Sequence, residues 1–247
     1  EAGHAVYTAA SDLLELSGTP SWRMGDRSGS AQRVVMDRAQ QRVKATGQVA
    51  VNLPATALTT GGAWLPEERR RPRASQPAPP GTPSEAKLIQ LTADEAEFQP
   101  DATRTNVTRG VFLGQVRVRD DRGQLTCDRL SLTALGRDHE VETLVAEQNV
   151  QVEQGDSRGS CVRAEYVAAA GTVDLTGHPT WRVGEREGES DRLWMDTRSQ
   201  TYRALGQVKM RMPVSALASQ SWLTPAPATP PTPEAASGAS LPPTSLV

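Results

Sequence analysis

Gly114-Gln115-Val116-Arg117-Val118-Arg119 alternates apolar and polar side chains with period two, the signature of a strand with one dry face and one wetted face. The same pattern returns in Asn149-Val150-Gln151-Val152-Glu153, in Gly206-Gln207-Val208-Lys209-Met210-Arg211-Met212 and in Gly47-Gln48-Val49-Ala50-Val51-Asn52-Leu53. Further strands are read at 88–98, 125–132, 141–146, 162–168, 172–176, 181–183 and 191–195. Turn chemistry separates them: Asp121-Arg122-Gly123, Gly155-Asp156, Ala170-Gly171 and Glu187-Gly188. No window keeps a 3.6-residue apolar period over three turns, so the chain is predicted to be all-β with little helix.

Strand alternation then assigns the faces. Val116, Val118, Leu130, Leu132, Val150, Val152, Tyr166, Val173, Leu175, Trp181, Val183, Leu193, Met195, Val208 and Met210 fall on one side. Arg117, Arg119, Gln151, Glu153, Asp174, Arg182 and Lys209 fall on the other. A sheet patterned in this way closes against a second sheet or rolls on itself.

Composition excludes several classes. In 247 residues, Lys+Arg 27 against Asp+Glu 29 gives a net charge of -2, without the positive field of a nucleic-acid binder. Lys44, Lys87 and Lys209 are the only lysines, an arginine bias that reads as GC-rich coding. Aromatic residues are 4% of the chain, too few for a thick aromatic core. No apolar run approaches the roughly 20 residues that span a bilayer, and the piece is expected to be soluble. It begins at Glu1 without a leader and is read as a processed chain or part of something longer. Cys127 and Cys161 are too few for a disulfide scaffold or a four-ligand zinc site; they read as buried small residues, with one disulfide as the rival.

An internal repeat organises the chain. Residues 1–58 return without a gap at 160–217, with Tyr7/Tyr166, Trp22/Trp181, Gly29/Gly188, Met36/Met195 and Pro54/Pro213 each 159 apart. Residues 59–85 hold Gly61-Gly62, Arg69 to Arg71 and prolines from Pro66 to Pro83, the composition of a linker. Residues 219–247 are Pro, Ala, Ser and Thr with scarcely a charge and read as a disordered tail.

The order of short motifs resembles a known family. Gly/Asn-x-Val-x-Val, then Cys127-Asp128-Arg129-Leu130, then Val141 to Ala146 leading into Asn149-Val150, form successive rungs. Ala164-Glu165-Tyr166 follows, with Val173-Asp174-Leu175-Thr176-Gly177-His178-Pro179 and Ser190-Asp191-Arg192-Leu193-Trp194-Met195-Asp196 after it. This series resembles the OstA-like family of lipopolysaccharide transport, which includes the periplasmic bridge protein LptA and the N-terminal domain of the outer-membrane translocon LptD. The resemblance covers roughly 86–213 and again 1–54. The long Pro/Arg-rich linker and the tandem copies depart from the small bridge protein.

The resemblance implies a folded-over β-jelly roll of stacked antiparallel hairpin rungs. It divides the chain into the C-terminal half of a first OstA-like module (1–58), the linker (59–85), a complete module (86–218) and the tail (219–247). It also implies a periplasmic, noncatalytic, cofactor-free role, in which a hydrophobic groove shields the acyl chains of lipopolysaccharide or a related lipid. The groove candidates are Val116, Val118, Leu130, Leu132, Val150, Val152, Tyr166, Val173, Leu175, Trp181, Leu193, Met195, Val208 and Met210. Open edge strands would join other OstA-like proteins or build a head-to-tail homo-oligomer. Within the chain, the first half-module either stacks on the second or forms a separate roll. The alternative, from another class, is a structural β-roll scaffold or adhesin-like protein with a filled core.

Other motifs weigh less. Gly155-Asp156-Ser157-Arg158-Gly159 matches the Gly-x-Ser-x-Gly nucleophile elbow, but that elbow needs a strand-to-helix turn, and here two strands flank it. His4, His139 and His178 lack metal-ligand spacing, and no metal site is expected. Trp22 and Trp181 read as lipid contacts or as core, and Arg23 and Arg182 as phosphate partners or solvated charges. Arg69 to Arg73 reads as a solvated charge run rather than a membrane contact, and Asn106-Val107-Thr108 is a glycosylation sequon of no consequence in a bacterial chain.

Overall fold

The computed structural model describes residues 1–54, 88–136, 140–199 and 201–213. The predicted linker and tail, with His139 and Arg69 to Arg73, lie outside them. Among the described residues there is no helix, and every strand joins one antiparallel 17-stranded sheet. In chain order the strands are β1 (His4–Thr8), β2 (Leu13–Ser17), β3 (Ser21–Met24), β4 (Arg27–Ser30), β5 (Arg33–Asp37) and β6 (Arg42–Pro54). Then come β7 (Leu88–Pro100), β8 (Val107–Arg119), β9 (Gly123–Leu135), β10 (Glu140–Gln154) and β11 (Ser157–Val167). The series ends with β12 (Thr172–Thr176), β13 (Thr180–Val183), β14 (Arg186–Glu189), β15 (Arg192–Asp196), β16 (Thr201–Leu205) and β17 (Lys209–Arg211).

A line of backbone irregularities crosses this sheet. The long strands lose register at Thr46/Val49, Thr92/Glu95, Leu113/Val116 and Glu147/Val150. Pairs of residues with positive φ mark the same line: Gly47-Gln48, Gly114-Gln115 and Gln148-Asn149, continued by Gly18-Thr19 and Gly177-His178 between short strands. An unpaired extra residue bends a strand and increases its twist. Stacked on neighbouring strands, such bends make one crease that divides the sheet into two arms. Gly114 shows why a glycine stands there: its φ is 74°, and a Cβ would sit 2.3 Å from Oδ2 of Asp94 on the next strand. Gly114-Gln115, read from sequence as the start of a strand, is therefore the corner in the middle of β8.

Cross-strand rows fill the interior of the crease. On one arm, Ala5, Leu16, Val34, Ala45, Ala96, Phe112, Leu130, Ala146, Ala164, Leu175, Leu193 and Ala204 are successive register partners. On the other arm the row runs Trp22, Gly29, Val51, Leu91, Val118, Leu125, Val152, Gly159, Trp181, Gly188, Met210. Both rows are apolar from end to end, and their buried members belong to one hydrophobic cluster. With no second layer among the described residues, only the fold of the sheet on itself can cover that face.

Strand boundaries follow the sequence repeat. Leu13–Ser17 and Thr172–Thr176, Ser21–Met24 and Thr180–Val183, Arg27–Ser30 and Arg186–Glu189, and Arg33–Asp37 and Arg192–Asp196 are each separated by 159 residues. The segments do not form separate rolls: β6 pairs along its length with β7, from Val43↔Phe98 to Pro54↔Leu88. Glu1–Met212 is one compact unit; of a second, Pro213–Val247, the described residues include only Pro213.

Two local contacts hold the scaffold in shape. The indole of Trp181 lies on the backbone of Gly188, where an added Cβ would come within 2.3 Å of Cζ2, and Trp22 covers Gly29 in the same way at 2.2 Å. Glu187-Gly188, read from sequence as a turn, is thus part of strand β14, and its glycine serves ring packing. Asp101 closes the β7–β8 turn: its Oδ1 accepts hydrogen bonds from Thr103 N and Oγ1 and from Arg104 N, and its Oδ2 lies 2.5 Å from Arg109 Nε. These donors hold its carboxyl at about 2, well below the usual carboxylate range.

Gly188→Ala is expected to destabilise the protein by about 1–3 kcal/mol in urea unfolding, the cost of overpacking, with part of the loss recovered by Trp181→Leu in the same chain. Asp101→Asn tests the turn. Because the folded-state pKa lies below the unfolded value of roughly 4, the carboxylate stabilises the fold above that pH and ceases to as pH falls through about 2. Thermal melts should therefore separate the variant from the parent at pH 7 and bring them together near pH 2.

Candidate functional site

The crease gathers most of the predicted groove residues. Val116, Leu130, Val150, Val152, Tyr166, Val173, Leu175, Trp181, Leu193 and Met195 are buried in the central cluster, and Val118 and Leu132 pack against it. Strands from both arms contribute, which is why residues distant in sequence meet. Val208 and Met210 do not join them. Met210 ends an inner row, yet it is 50% exposed and Val208 is 45% exposed, because among the described residues no strand lies beyond β16 and β17 to cover them. Their equivalents 159 residues earlier, Val49 and Val51, are buried under β7.

The interior is filled. Phe112, Leu125, Leu130, Leu175 and Leu193 are among the fully buried side chains, and at the hairpin end of the roll a cleft of about 40 Å³, lined by Ile89, Val118, Leu125 and Val152 with Asp120, Arg122 and Glu153, has room for one water molecule. Alanines and valines stand among the leucines of this cluster.

A larger concavity, about 730 Å³, is lined by Gln151–Glu153, Arg158–Ser160, Thr180–Arg182, Glu187–Glu189 and Lys209–Arg211. All of these belong to one arm, and none to β12, β15 or β16; charged side chains such as Arg158, Arg182 and Lys209 line the hollow together with Val152, Trp181 and Met210 of the inner row. A counterpart of about 580 Å³ is lined by Glu1, Ser21–Arg23, Ser28–Ser30, Ala50 and Asn52. Charges in the larger hollow pair across strands: Lys209 with Glu189 at 2.7 Å, Arg158 with Glu153 at 3.7 Å, and Arg182 with Glu187. Arg182 and Lys209 hold the carboxyls of Glu187 and Glu189 below their ordinary values. Such exposed pairs are screened by solvent and add little to stability; they keep the outer face wet.

Among the described residues the candidate nucleophile and histidines are not brought together. Ser157 sits in the β10–β11 hairpin, in a sheet without helices among the described residues, and His4 and His178 stand on β1 and at a corner. Among the described residues no group of His, Cys, Asp or Glu is placed to hold a metal ion. Cys127 and Cys161 are buried and unpaired, on β9 and β11 with β10 between them. Two strand spacings, about 9.5 Å, exceed the reach of a disulfide. Burial pushes their thiols up to about 12 and about 11, so neither is a nucleophile at neutral pH.

A creased, single-sheet β-roll with a continuous apolar interior is the class this geometry defines. Residues 90–201, from within β7 to the first residue of β16, match the family described as LptA/(LptD N-terminal domain) LPS transport protein. Those residues are thus similar to that family, the one that the rungs resemble. Among solved structures, the chain is similar to LptH, the LptA homologous periplasmic component of the lipopolysaccharide transport device of Pseudomonas aeruginosa. Identity is 18%, the TM-score is 0.41, and the match covers 51% of this chain and 94% of LptH. A search of curated proteins returned no match.

Proposed function

We propose that this chain is a noncatalytic, periplasmic component of lipopolysaccharide transport in a Gram-negative-type envelope, that it shelters acyl chains between the arms of its roll, and that it meets similar domains edge to edge. The observation that carries the lipid part is the unbroken apolar rows, which cross every rung of the sheet without a charged residue. An acyl chain entering between the arms replaces side-chain contacts with contacts of the same kind. Each methylene removed from water contributes about 0.8 kcal/mol, and no hydrogen bond fixes its position along the rows. The lipid is held and remains free to slide, while sugars and phosphates stay with the charged outer face.

Because the interior is filled, entry requires the arms to part along the crease. The same filled interior favours a second reading, a structural β-roll scaffold that binds proteins through its edges and never opens.

A photo-crosslinking residue at Val118, Val152 or Met210 separates the two. Carriage predicts capture of lipopolysaccharide from all three, several-fold above the outward position Arg117. Labelling from Arg117 alone, or from none of the four, sinks the carrier reading and leaves the scaffold.

A further inference from the structure

We infer that the outward face of the arm whose inner row holds Val118 and Val152 carries a docking stripe for an acidic polysaccharide, with Arg117 and Arg119 of β8 as its anionic subsite. The sheet stands between this stripe and the apolar rows, since alternate residues of β8 face opposite ways. It therefore takes a ligand other than the lipid, and it holds or fails independently of the lipid reading.

Outward charges are matched across strands on the other arm: Arg33 meets Glu15 at 2.8 Å, Arg42 meets Glu97 at 3.0 Å, Lys44 meets Glu95 at 2.6 Å, and Arg192 meets Asp174. On β8 that matching stops. Arg117 stands between Thr92 of β7 and Thr126 of β9, and Arg119 between Gln90 and Gln124, so no carboxylate lies opposite either. The carboxylates nearby are taken: Glu153 by Gln124 at 2.8 Å and Arg158 at 3.7 Å, and Asp120 by Arg122 at 3.2 Å. Both arginines are exposed, and among the described residues neither has a hydrogen-bond or ion-pair partner. Alternate residues of a strand are roughly 7 Å apart, so two guanidinium forks share one face and are not neutralised within the fold.

The neighbours of this pair decide what fits. The row of register partners through Arg117 runs Ser30, Ala50, Thr92, Arg117, Thr126, Gln151, so hydroxyls and amides flank the charge and Ala50 alone is apolar. Five strand spacings make the row roughly 24 Å long, the length of several linked sugars. A protein partner needs an apolar centre that sheds water, and a nucleic acid needs a field of many cations; this row offers neither. Hydroxyl and amide side chains exchange hydrogen bonds with sugar hydroxyls, and a guanidinium fork takes a carboxylate with two parallel bonds. An extended chain of sugars bearing carboxylates meets both.

The probe is fluorescently labelled hexagalacturonate, titrated against the full chain and read by anisotropy. Saturable binding is expected, at least tenfold tighter than that of maltohexaose, an uncharged chain of the same length. Hexaglutamate, which has the carboxylates without the hydroxyls, should also bind at least tenfold more weakly. Arg117→Gln with Arg119→Gln should weaken hexagalacturonate binding at least tenfold, while Arg33→Gln on the other arm leaves it unchanged. Neither β8 arginine bonds to the described fold, so thermal melts of the double variant should overlay the parent's. Absent binding, equal binding of hexaglutamate, or indifference to the double variant overturns the inference. Displacement of the probe by lipopolysaccharide does so too, because the stripe then belongs to the cargo's own sugars. Lipopolysaccharide capture from Val152 is scored alongside: its absence with probe binding intact fails the lipid reading alone, and the reverse fails this inference alone.

Discussion

One sheet has to bury its own face. Among the described residues no helix or second sheet is available to cover the apolar rows, so the backbone bends back over itself at the same place on every long strand. Everything else follows from that crease. It places glycine and polar residues, glutamine above all, at positive φ in a line, it brings Leu130 and Leu193 into one cluster with Val152 and Trp181, and it leaves the ion pairs outside. A one-residue slip anywhere would turn a rung inside out, exposing valines and leucines and burying arginines, and the stacked corners hold the register against that slip.

Period-two alternation was sufficient to read the strands and the inner face, because burial on one side leaves a direct trace in composition. The corners were harder. Gly-Gln-Val reads as a strand onset until the residues before it are seen to pair as well, and only the neighbouring strand reveals the loss of register. Gly188 misled for a related reason: a glycine beside a glutamate is common turn chemistry, and nothing local announces that an indole from another strand rests on it. Exposure at Val208 and Met210 is not a local property at all. It depends on whether a further strand lies alongside, which the alternation within residues 206–212 does not encode.

The filled interior bears on function through energetics rather than shape. A preformed empty trough would expose apolar surface to water whenever it lacked cargo, whereas arms that close on each other keep their rows dry. Polar work is left to the outer face, where paired charges rather than a single-sign field line the hollow between β10 and β17.

The pairing of β6 with β7 joins two stretches of roll through residues 55–87 of the same polypeptide. A joint tethered in this way does not come apart on dilution, since the linker keeps each strand in the neighbourhood of its mate however scarce the protein becomes. A joint between separate molecules has no such safeguard. The β6–β7 joint inside the sheet is thus indifferent to abundance.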